Sequence, residues 1–565
     1  MNIHETYKSP SFVNMREVVE YVDRTHRDMI AYSYRIKPTD KEIRTVTYRA
    51  LAKDVRALST AAIEHGFAGQ RIALIGTLSY GWICSYLALL SAGCVLVPLD
   101  PAWGEEELAE TAKFAECHAL LCSEAVRREK GASISAVCAT DTLLSLDENA
   151  DVPTVFDWIK EGKELRRAGN VSYESAPIKP DELALLVFTS GTTGKGKGVM
   201  LSQTAILTDI SAGLKYIKVT ERTIGLLPPH HTFGSTVGIL GNLIFGTNLY
   251  ISSGLRYLPS ELAEHRPGHL IVVPLYLETF QKRISDTIRK KGLEKAFANL
   301  KRLSQATRRV GLDLRSKLFG SVLKSFGGNL KYVICGGAPL SQATADFFQS
   351  LGVSIINGYG ITECAPLISV NRNNGTKNGS CGLIIPGISY KIADADENGD
   401  GEIRVKGTNV MMGYYKDPEA TAAVFDCDGY FCTGDIGRLD ENGYLYITGR
   451  IKNLIILANG KNVYPEEIEA KLATAPGVID VVVYEGVSRR GVQYNTTVAE
   501  IFPDADYLKQ NGIEDSRHFY QKFVNDYNRT AVPYKKIGLV RIRQSDFPKN
   551  TLRKIVRFKI DRTID

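Results

Sequence analysis

Apolar and polar positions follow two alternating periods along this chain, and each change of period marks an element. Across residues 47–66 the apolar side chains recur at helical spacing with charged ones opposite, which predicts an amphipathic helix. Residues 71–78, 79–93 and 94–100 read as strand, helix and strand, with both strands apolar throughout, as in a buried parallel sheet. Further apolar runs at 119–123, 183–190, 269–274 and 330–337 read as strands set between helical stretches. Such alternation predicts doubly wound parallel sheets with helices on both faces.

From residue 389 the texture changes to short strands and turns, at 389–407 and 429–450, which read as hairpins of a smaller β unit. Beyond residue 450 a helix at 465–475, strands at 478–486 and 493–502 and a helix at 518–530 follow. The expected fold class is α/β: a large N-terminal domain of doubly wound sheets plus a small β unit, with a smaller, mobile α+β C-terminal domain. We place the domains at 1–451 and 452–565. A chain of 565 residues exceeds what one core can organise, which agrees with two domains. No internal repeat is visible.

Composition changes this picture little, since 44% hydrophobic and 23% charged residues are ordinary for a globular protein. The ten cysteines form no C-x-x-C pair, which favours reduced thiols of a cytoplasmic protein over disulfides or a zinc site. The first fifteen residues lack the apolar core of a signal peptide. Residues 72–99 carry no charge, and 223–255 none besides two histidines. Gly, Pro, Ser and Tyr break both runs where strands pass into helices, so soluble αβ segments are expected rather than membrane spans. The net charge of +6 is concentrated: residues 281–324 hold thirteen Lys/Arg against three Asp/Glu. A solvated face is one reading. Contact with a membrane headgroup layer or an acidic carrier protein is the other, and the scarcity of interleaved aromatics argues against nucleic acid.

The chemistry begins where the strand at 183–190 runs into a loop of Thr189, Ser190, Gly191, Thr192, Thr193, Gly194, Lys195, Gly196, Lys197 and Gly198. Glycines allow close approach of the backbone to phosphates, hydroxyls add donors and lysines add charge. The loop nearly matches a Walker A pattern, but that pattern needs Ser or Thr where Gly198 stands, and the following residues read as strand rather than helix.

This loop resembles the phosphate loop of the adenylate-forming superfamily, which includes acyl-CoA synthetases, peptide-synthetase adenylation domains and luciferases. Gly196 replaces the usual proline, which loosens the loop, and Lys197 keeps its place. Further segments similar to the family's motifs follow in order. Residues 227–234 resemble the acid-site segment, with His231 as its histidine and Phe233 as its aromatic. Gly336, Gly337, Ala338 and Pro339 resemble the adenine-side segment. In Asn357-Gly358-Tyr359-Gly360-Ile361-Thr362-Glu363 the resemblance implies that Tyr359 stacks on adenine and Thr362 bonds phosphate or the substrate carboxylate. It also implies that Glu363 holds Mg²⁺, for which a hard oxygen ligand is suited. Asp435 and Arg450 match the pair that binds the ribose hydroxyls.

Residues 548–557 are similar to the family's C-terminal lysine motif, and that register puts the adenylation lysine at Lys554. Arg553 stands where glycine is usual. A lysine there places positive charge where the transferring phosphoryl group develops negative charge. Lys452 matches the family hinge, about which the C-terminal domain swings so that the loop at Gly460 lines a channel for the thiol. The implied cofactors are ATP and Mg²⁺, with CoA as co-substrate. Two decoys are set aside. Asp394, Asp396, Asn398 and Gly399 start like an EF-hand loop, but Val405 stands at position twelve, so a polar hairpin turn is expected. His230 reads as structural or as a rim residue, and Cys364 as packing.

Leu277, Phe280, Ile284 and Ile288 recur at helical spacing, so the basic segment contains an amphipathic helix. Its context resembles the helical insert of long-chain fatty acyl-CoA synthetases, as does the segment at 459–469. The expected function is therefore ATP-dependent activation of a medium- or long-chain fatty acid to an acyl-adenylate. Transfer to CoA with release of AMP and pyrophosphate follows, in a cytoplasmic enzyme that can sit at the membrane periphery through 281–324. An acyl-acyl carrier protein synthetase, and a non-catalytic relative that only binds nucleotide or acyl-adenylate, stand as alternatives.

Overall fold

The computed structural model describes residues 6–189, 196–456, 462–488, 493–549 and 555–564. It divides into two compact units: Met1–Ser389 with Lys406–Gly429, and Tyr390–Val405 with Tyr430–Asp565. Among the described residues, no helix is long and apolar enough to cross a membrane.

In the first unit the amphipathic segment forms α1 (Tyr48–Glu64), whose start is fixed by the Thr47 side chain accepting from the Ala50 N–H. The apolar run that follows folds as β1 (Arg71–Ile75), α2 (Tyr80–Ser91) and β2 (Val95–Leu99). Every residue of α2 is buried, so this helix has no polar face to show in its sequence. β1 and β2 pair in parallel within a seven-stranded sheet, which continues through β3 (Leu183–Thr189) to β4 (Lys197–Ser202) and the edge strand Gly413–Tyr414. Its far side holds Ala119–Cys122 and Leu143–Ser145, both parallel to their neighbours. The last two pairings, β3 with β4 and β4 with the edge strand, are antiparallel. After β4 comes α3 (Gln203–Gly213), capped by the Ser202 side chain.

A four-stranded sheet joins Ile30–Tyr34 to strands Asn248–Ile251 and Arg222–Gly225. A five-stranded sheet starts from His269–Val272 and continues through β5 (Tyr332–Cys335) and β6 (Ser354–Gly360), all parallel, before two antiparallel strands close it. The basic segment supplies α4 (Pro274–Lys290) and α5 (Glu294–Arg309). Their apolar faces, including Leu277, Phe280, Ile284, Phe297 and Leu300, pack on the core around Phe319, Phe348 and Val333. The unit is thus a mixed α/β assembly in which parallel strands occupy the sheet centres.

In the second unit, Ser389–Ala393, Gly401–Lys406, β7 (Phe431–Leu439) and β8 (Leu445–Arg450) form the short-stranded sheet. The EF-hand-like run is a turn in which the Asp396 side chain accepts from the Asn398 and Asp400 N–H groups. α6 (Pro465–Leu472) and α7 (Ser516–Thr530) pack on a second sheet of β9 (Val478–Val487), β10 (Gln493–Pro503) and β11 (Leu539–Ile542).

Candidate active site

β3 and β4 pair in antiparallel register with Thr189 opposite Lys197, so they clamp the two ends of the phosphate-loop candidate. Ser190, Gly191, Thr192, Thr193 and Gly194 lie outside the described residues. Gly196 has a reason beyond looseness: a Cβ there would stand 2.7 Å from the Thr189 carbonyl oxygen. Gly198 is buried in β4, where a Cβ would meet Leu186, Phe188 and Tyr415 at 3.0–3.2 Å. A hydroxyl side chain of the kind a Walker A loop needs would have to displace these neighbours.

Lys197 extends over the ring of Tyr414, with Nζ 4.4 Å from the centroid. The Tyr414 hydroxyl donates to Glu363 Oε1 at 3.0 Å. Burial, with Glu363 beside it, pushes the Tyr414 phenol pKa well up, so the phenol stays a donor. Tyr414 is placed by the edge strand that pairs with β4, Tyr414 opposite Val199. That strand turns in at Gly413, whose φ is +136° and whose Cβ would touch Thr421 at 2.7 Å. Nothing local in the sequence links Tyr414 to Glu363. The only signal is an aromatic following a glycine.

Thr362 and Glu363 sit in the one-turn 3₁₀ segment Thr362–Cys364, which follows β6. The turn is held from behind. The Met411 N–H donates to the Glu363 carbonyl at 2.8 Å, and the buried Asn409 amide donates to the Cys364 and Leu367 carbonyls at 3.0 Å each. Asn409 also donates to Asp209 Oδ1 at 3.2 Å, and the Leu367 N–H donates to the same oxygen at 3.1 Å. Asp209, on α3, is completely buried, and burial raises its pKa well above the usual carboxylate range despite these donors.

Phe233, the turn after β5, and β6 meet in space. Phe233 begins a nine-residue π-helix, Phe233–Gly241, and lies against the backbone of Gly336 and Gly337, where added Cβ atoms would be 3.4 and 3.8 Å from its ring. A Cβ on Gly336 would also stand 3.4 Å from the Gly358 carbonyl. Gly337 takes a φ of +84°, which turns the chain from β5 toward Ala338 and Pro339. Asn357 and Cys335 are opposite one another in the β5–β6 pairing. The Asn357 amide donates to the Ser380 carbonyl at 3.0 Å, while its buried Oδ1 has no hydrogen-bond partner among the described residues. Tyr359 and Gly360 continue β6, and a Cβ on Gly360 would fall 2.0 Å from the Pro366 carbonyl.

His231 and His230 lie next to one another, ring centroids 4.3 Å apart. His230 is the more buried, 6% exposed, with Nε2 3.5 Å from the Asp100 carboxylate at the end of β2. Ligand atoms of Asp100, His230 and His231 all lie within 4.8 Å of one another, a donor set that reading the sequence missed because Asp100 is 130 residues away. Nitrogen-rich donors of this kind suit a transition metal, whereas the Glu363 carboxylate suits Mg²⁺. Beside the π-helix, Leu78, Leu227, Gly234, Gly238, Leu249 and Ile271 line a small apolar cavity.

In the second unit Asp435 and Arg450 are opposite partners of β7 and β8. Arg450 Nε donates to Asp435 Oδ1 at 2.5 Å, and Asp435 is buried while Arg450 is half exposed. Lys452 follows in the short turn Ile451–Asn453. Gly460, Arg553 and Lys554 lie outside the described residues, but the flanks of residues 550–554 are firmly held. Lys549 and Ile555 form an antiparallel bridge, and the Val556 N–H donates to the Pro548 carbonyl at 2.7 Å. Lys549 Nζ pairs with Asp480 at 2.7 Å and Asp546 at 2.8 Å. Arg557 Nη2 donates to Glu469 Oε2 at 2.5 Å. Burial holds the Glu469 carboxyl above its ordinary pKa, against the pull of Arg557.

The chain is similar to known proteins in sequence and in fold. The sequence profile described as "AMP-binding enzyme" matches residues 19–415. The chain is 28% identical over 491 residues to Long-chain-fatty-acid–CoA ligase FadD15 of Mycobacterium tuberculosis, covering 83% of this chain and 80% of that protein. It is 29% identical over 500 residues to Long-chain-fatty-acid–CoA ligase 5 of Mus musculus, covering 82% and 71%. Among solved structures it is similar to ATP-bound MatB from Rhodopseudomonas palustris, with TM-score 0.74, 25% identity and coverage of 96% and 97%. It is also similar in fold to o-succinylbenzoate CoA synthetase from Bacillus subtilis with its acyl-adenylate, with TM-score 0.71, 19% identity and coverage of 98% and 98%. Adenylate-forming CoA ligases use ATP, Mg²⁺ and CoA. The chain belongs to the AMP-binding enzyme family, as an adenylate-forming acid–thiol ligase.

Proposed function

We propose that the enzyme activates a medium- or long-chain fatty acid as its acyl-adenylate and transfers the acyl group to CoA. The observation that carries the reading is the run from Lys197 through the Tyr414 ring to Glu363, which sets a cation and a carboxylate at one place beside the phosphate-loop candidate. The fatty-acid part is supported by relatives named as long-chain-fatty-acid–CoA ligases along four fifths of the chain.

In the first half-reaction a carboxylate oxygen attacks the α-phosphorus of ATP, the new P–O bond forms and pyrophosphate leaves. Lys197 and the Thr189–Gly194 loop hold the phosphates, and Thr362 donates to the phosphate or to the attacking carboxylate. Glu363 is the residue to hold Mg²⁺. Its fit rests on a half-buried carboxylate with one oxygen oriented by Tyr414; when bound, the ion offsets charge on the triphosphate. Gly336 to Pro339 and Tyr359 take the adenine, and the Asn357 oxygen, which has no donor among the described residues, suits an amino group. His231 and Phe233 border the acid. Asp435 accepts from the ribose hydroxyls and Arg450 donates to them. Lys554 supplies positive charge to the transferring phosphoryl group. In the second half-reaction the CoA thiolate attacks the acyl carbonyl, the thioester forms and AMP leaves, with Lys452 as the hinge and the Gly460 loop beside the incoming thiol.

The test is a panel of acids from acetate to oleate in carboxylate-dependent ATP–pyrophosphate exchange, with CoA and acyl carrier protein compared as acceptors. Exchange that rises with chain length, followed by acyl-CoA formation, is expected. Exchange restricted to short or aromatic acids overturns the fatty-acid reading, transfer to carrier protein alone moves the acceptor, and no exchange with any acid leaves only nucleotide binding.

A further inference from the structure

The basic segment has two faces, and only one of them is used by the fold. On α5 the inward positions Phe297, Leu300 and Thr307 are half-buried and Ser304 is buried, with Phe297 and Leu300 packed on the core. Lys301 lies over the rings of Phe297 and Phe347 at 5.9 and 5.7 Å, so this cation belongs to the packed side. The opposite side has a pattern of its own. Lys295, Arg302 and Arg309 repeat every seven residues, and so do Ala296, Leu303 and the C-cap residue Val310 immediately beside them.

At about 100° per residue these six, with Asn299 and Ala306 between them, span an arc of roughly 140°. Every one of the eight is exposed. Leu303 is 50% exposed and Val310 73%, and Leu312 just beyond the helix is 57% exposed. Lys295, Arg302 and Arg309 form no ion pair among the described residues. The lone acid of the helix is Glu294, at its first position. A helix that buries one apolar face and exposes another, flanked by unpaired cations, is built for two different surroundings.

We infer that this outward face of α5 docks the enzyme on the surface of an anionic lipid bilayer. Phosphate headgroups meet Lys295, Arg302 and Arg309 in a row, while Leu303 and Val310 reach the acyl boundary beside them. The long cationic side chains let their charged ends stay at headgroup level as the apolar stripe sinks. An acidic protein partner would satisfy the cations but leave the leucine and valine stripe without a counterpart. The neighbouring Arg289, Lys290 and Lys291 at the end of α4 are also exposed and extend the positive field.

The inference goes beyond the proposed reaction and is read without turnover, so the two fail separately. Full-length enzyme is sedimented with vesicles of phosphatidylcholine alone or mixed equally with phosphatidylglycerol, at low and high salt. Binding to the anionic vesicles alone, weakened by salt, is expected. Arg302→Glu/Arg309→Glu and, separately, Leu303→Asp should each weaken that binding at least tenfold, with thermal melting unchanged. Arg517→Glu/Lys522→Glu, exposed cations on α7, should leave it intact. Equal binding to neutral vesicles, or equal loss with the α7 pair, overturns the assignment. So does charge-reversal-sensitive binding of acyl carrier protein with none to vesicles, which would make the partner an acidic protein.

Discussion

Tyr414 donates its hydroxyl to the Glu363 carboxylate at 3.0 Å while offering its ring face to Lys197. One side chain thus orders two charged groups that are 166 residues apart in the chain. Tyr414→Phe keeps the ring and removes only the donor. A hydrogen bond to a charged acceptor contributes about 1.5–3 kcal/mol, so pyrophosphate exchange should fall about 10- to 100-fold. The Mg²⁺ concentration for half-maximal exchange should rise as well. A magnesium titration of exchange checks this, and an unchanged magnesium dependence would detach Tyr414 from the metal.

Asp209 is the buried acid behind the Glu363 turn, and its titration has a definite sign. Its folded pKa is raised by burial, so between the unfolded value near 3.9 and the folded value the native state binds the proton more tightly. The contribution of Asp209 to stability therefore declines as pH rises through that window. Asp209→Asn keeps an oxygen for Leu367 and Asn409 but cannot ionise, so the difference between the two stability–pH curves should show this decline. Asp209→Ala leaves both donors unmet and should destabilise by about 2–4 kcal/mol at any pH. Thermal melts from pH 4 to 8 on the three proteins read both effects.

Lys554 has flanks that are fixed independently of the lysine. Lys554→Ala should abolish adenylation yet largely spare thioester formation from premade acyl-adenylate. Arg557→Lys retains charge but loses the forked contact with Glu469 and should reproduce a milder form of the same split. Arg557→Ala leaves Glu469 buried without its cation, at a cost of about 3–5 kcal/mol. Single-turnover assays of each half-reaction, with melts of each variant, separate the chemical role from the structural one.

Gly196→Pro restores the residue usual in the family, yet here it should harm. The added Cβ would stand 2.7 Å from the Thr189 carbonyl, which is itself opposite Lys197 in the clamp. Opening that clamp displaces the donors of the loop, so KM for ATP should rise about tenfold or more, a loss on the order of 1.4 kcal/mol. Initial rates against ATP concentration test this.

The strand–helix–strand run from Arg71 to Leu99 was legible because its apolar blocks are uninterrupted and its breaks are glycine, serine and tyrosine. The amphipathic helix was equally legible, and ends within two residues of the expected place. The antiparallel direction of β4 was not, since an apolar strand carries no mark of its neighbour's direction. The π-helix at Phe233–Gly241 was also hidden, because three glycines among apolar residues fit a strand, a turn or a helix alike. At the site, motifs in order pointed to Glu363, Asp435 and Arg450 as candidates. Tyr414, Asp209 and Asn409 were invisible: they are tied to Glu363 by long-range contacts that leave no local period. The twinned heptads of α5 were present in the sequence all along, but deciding which of two apolar faces is buried required the fold.

Asn357 closes on a question of selectivity. Its amide is pinned to Ser380, and its buried oxygen has no donor among the described residues. A purine that presents an amino group there relieves an unmet acceptor, whereas one that presents a carbonyl sets oxygen against oxygen. With adenine seated as proposed, the same atom that favours ATP excludes GTP. The nucleotide is then chosen by a penalty built into the fold itself, rather than by a contact formed only on arrival.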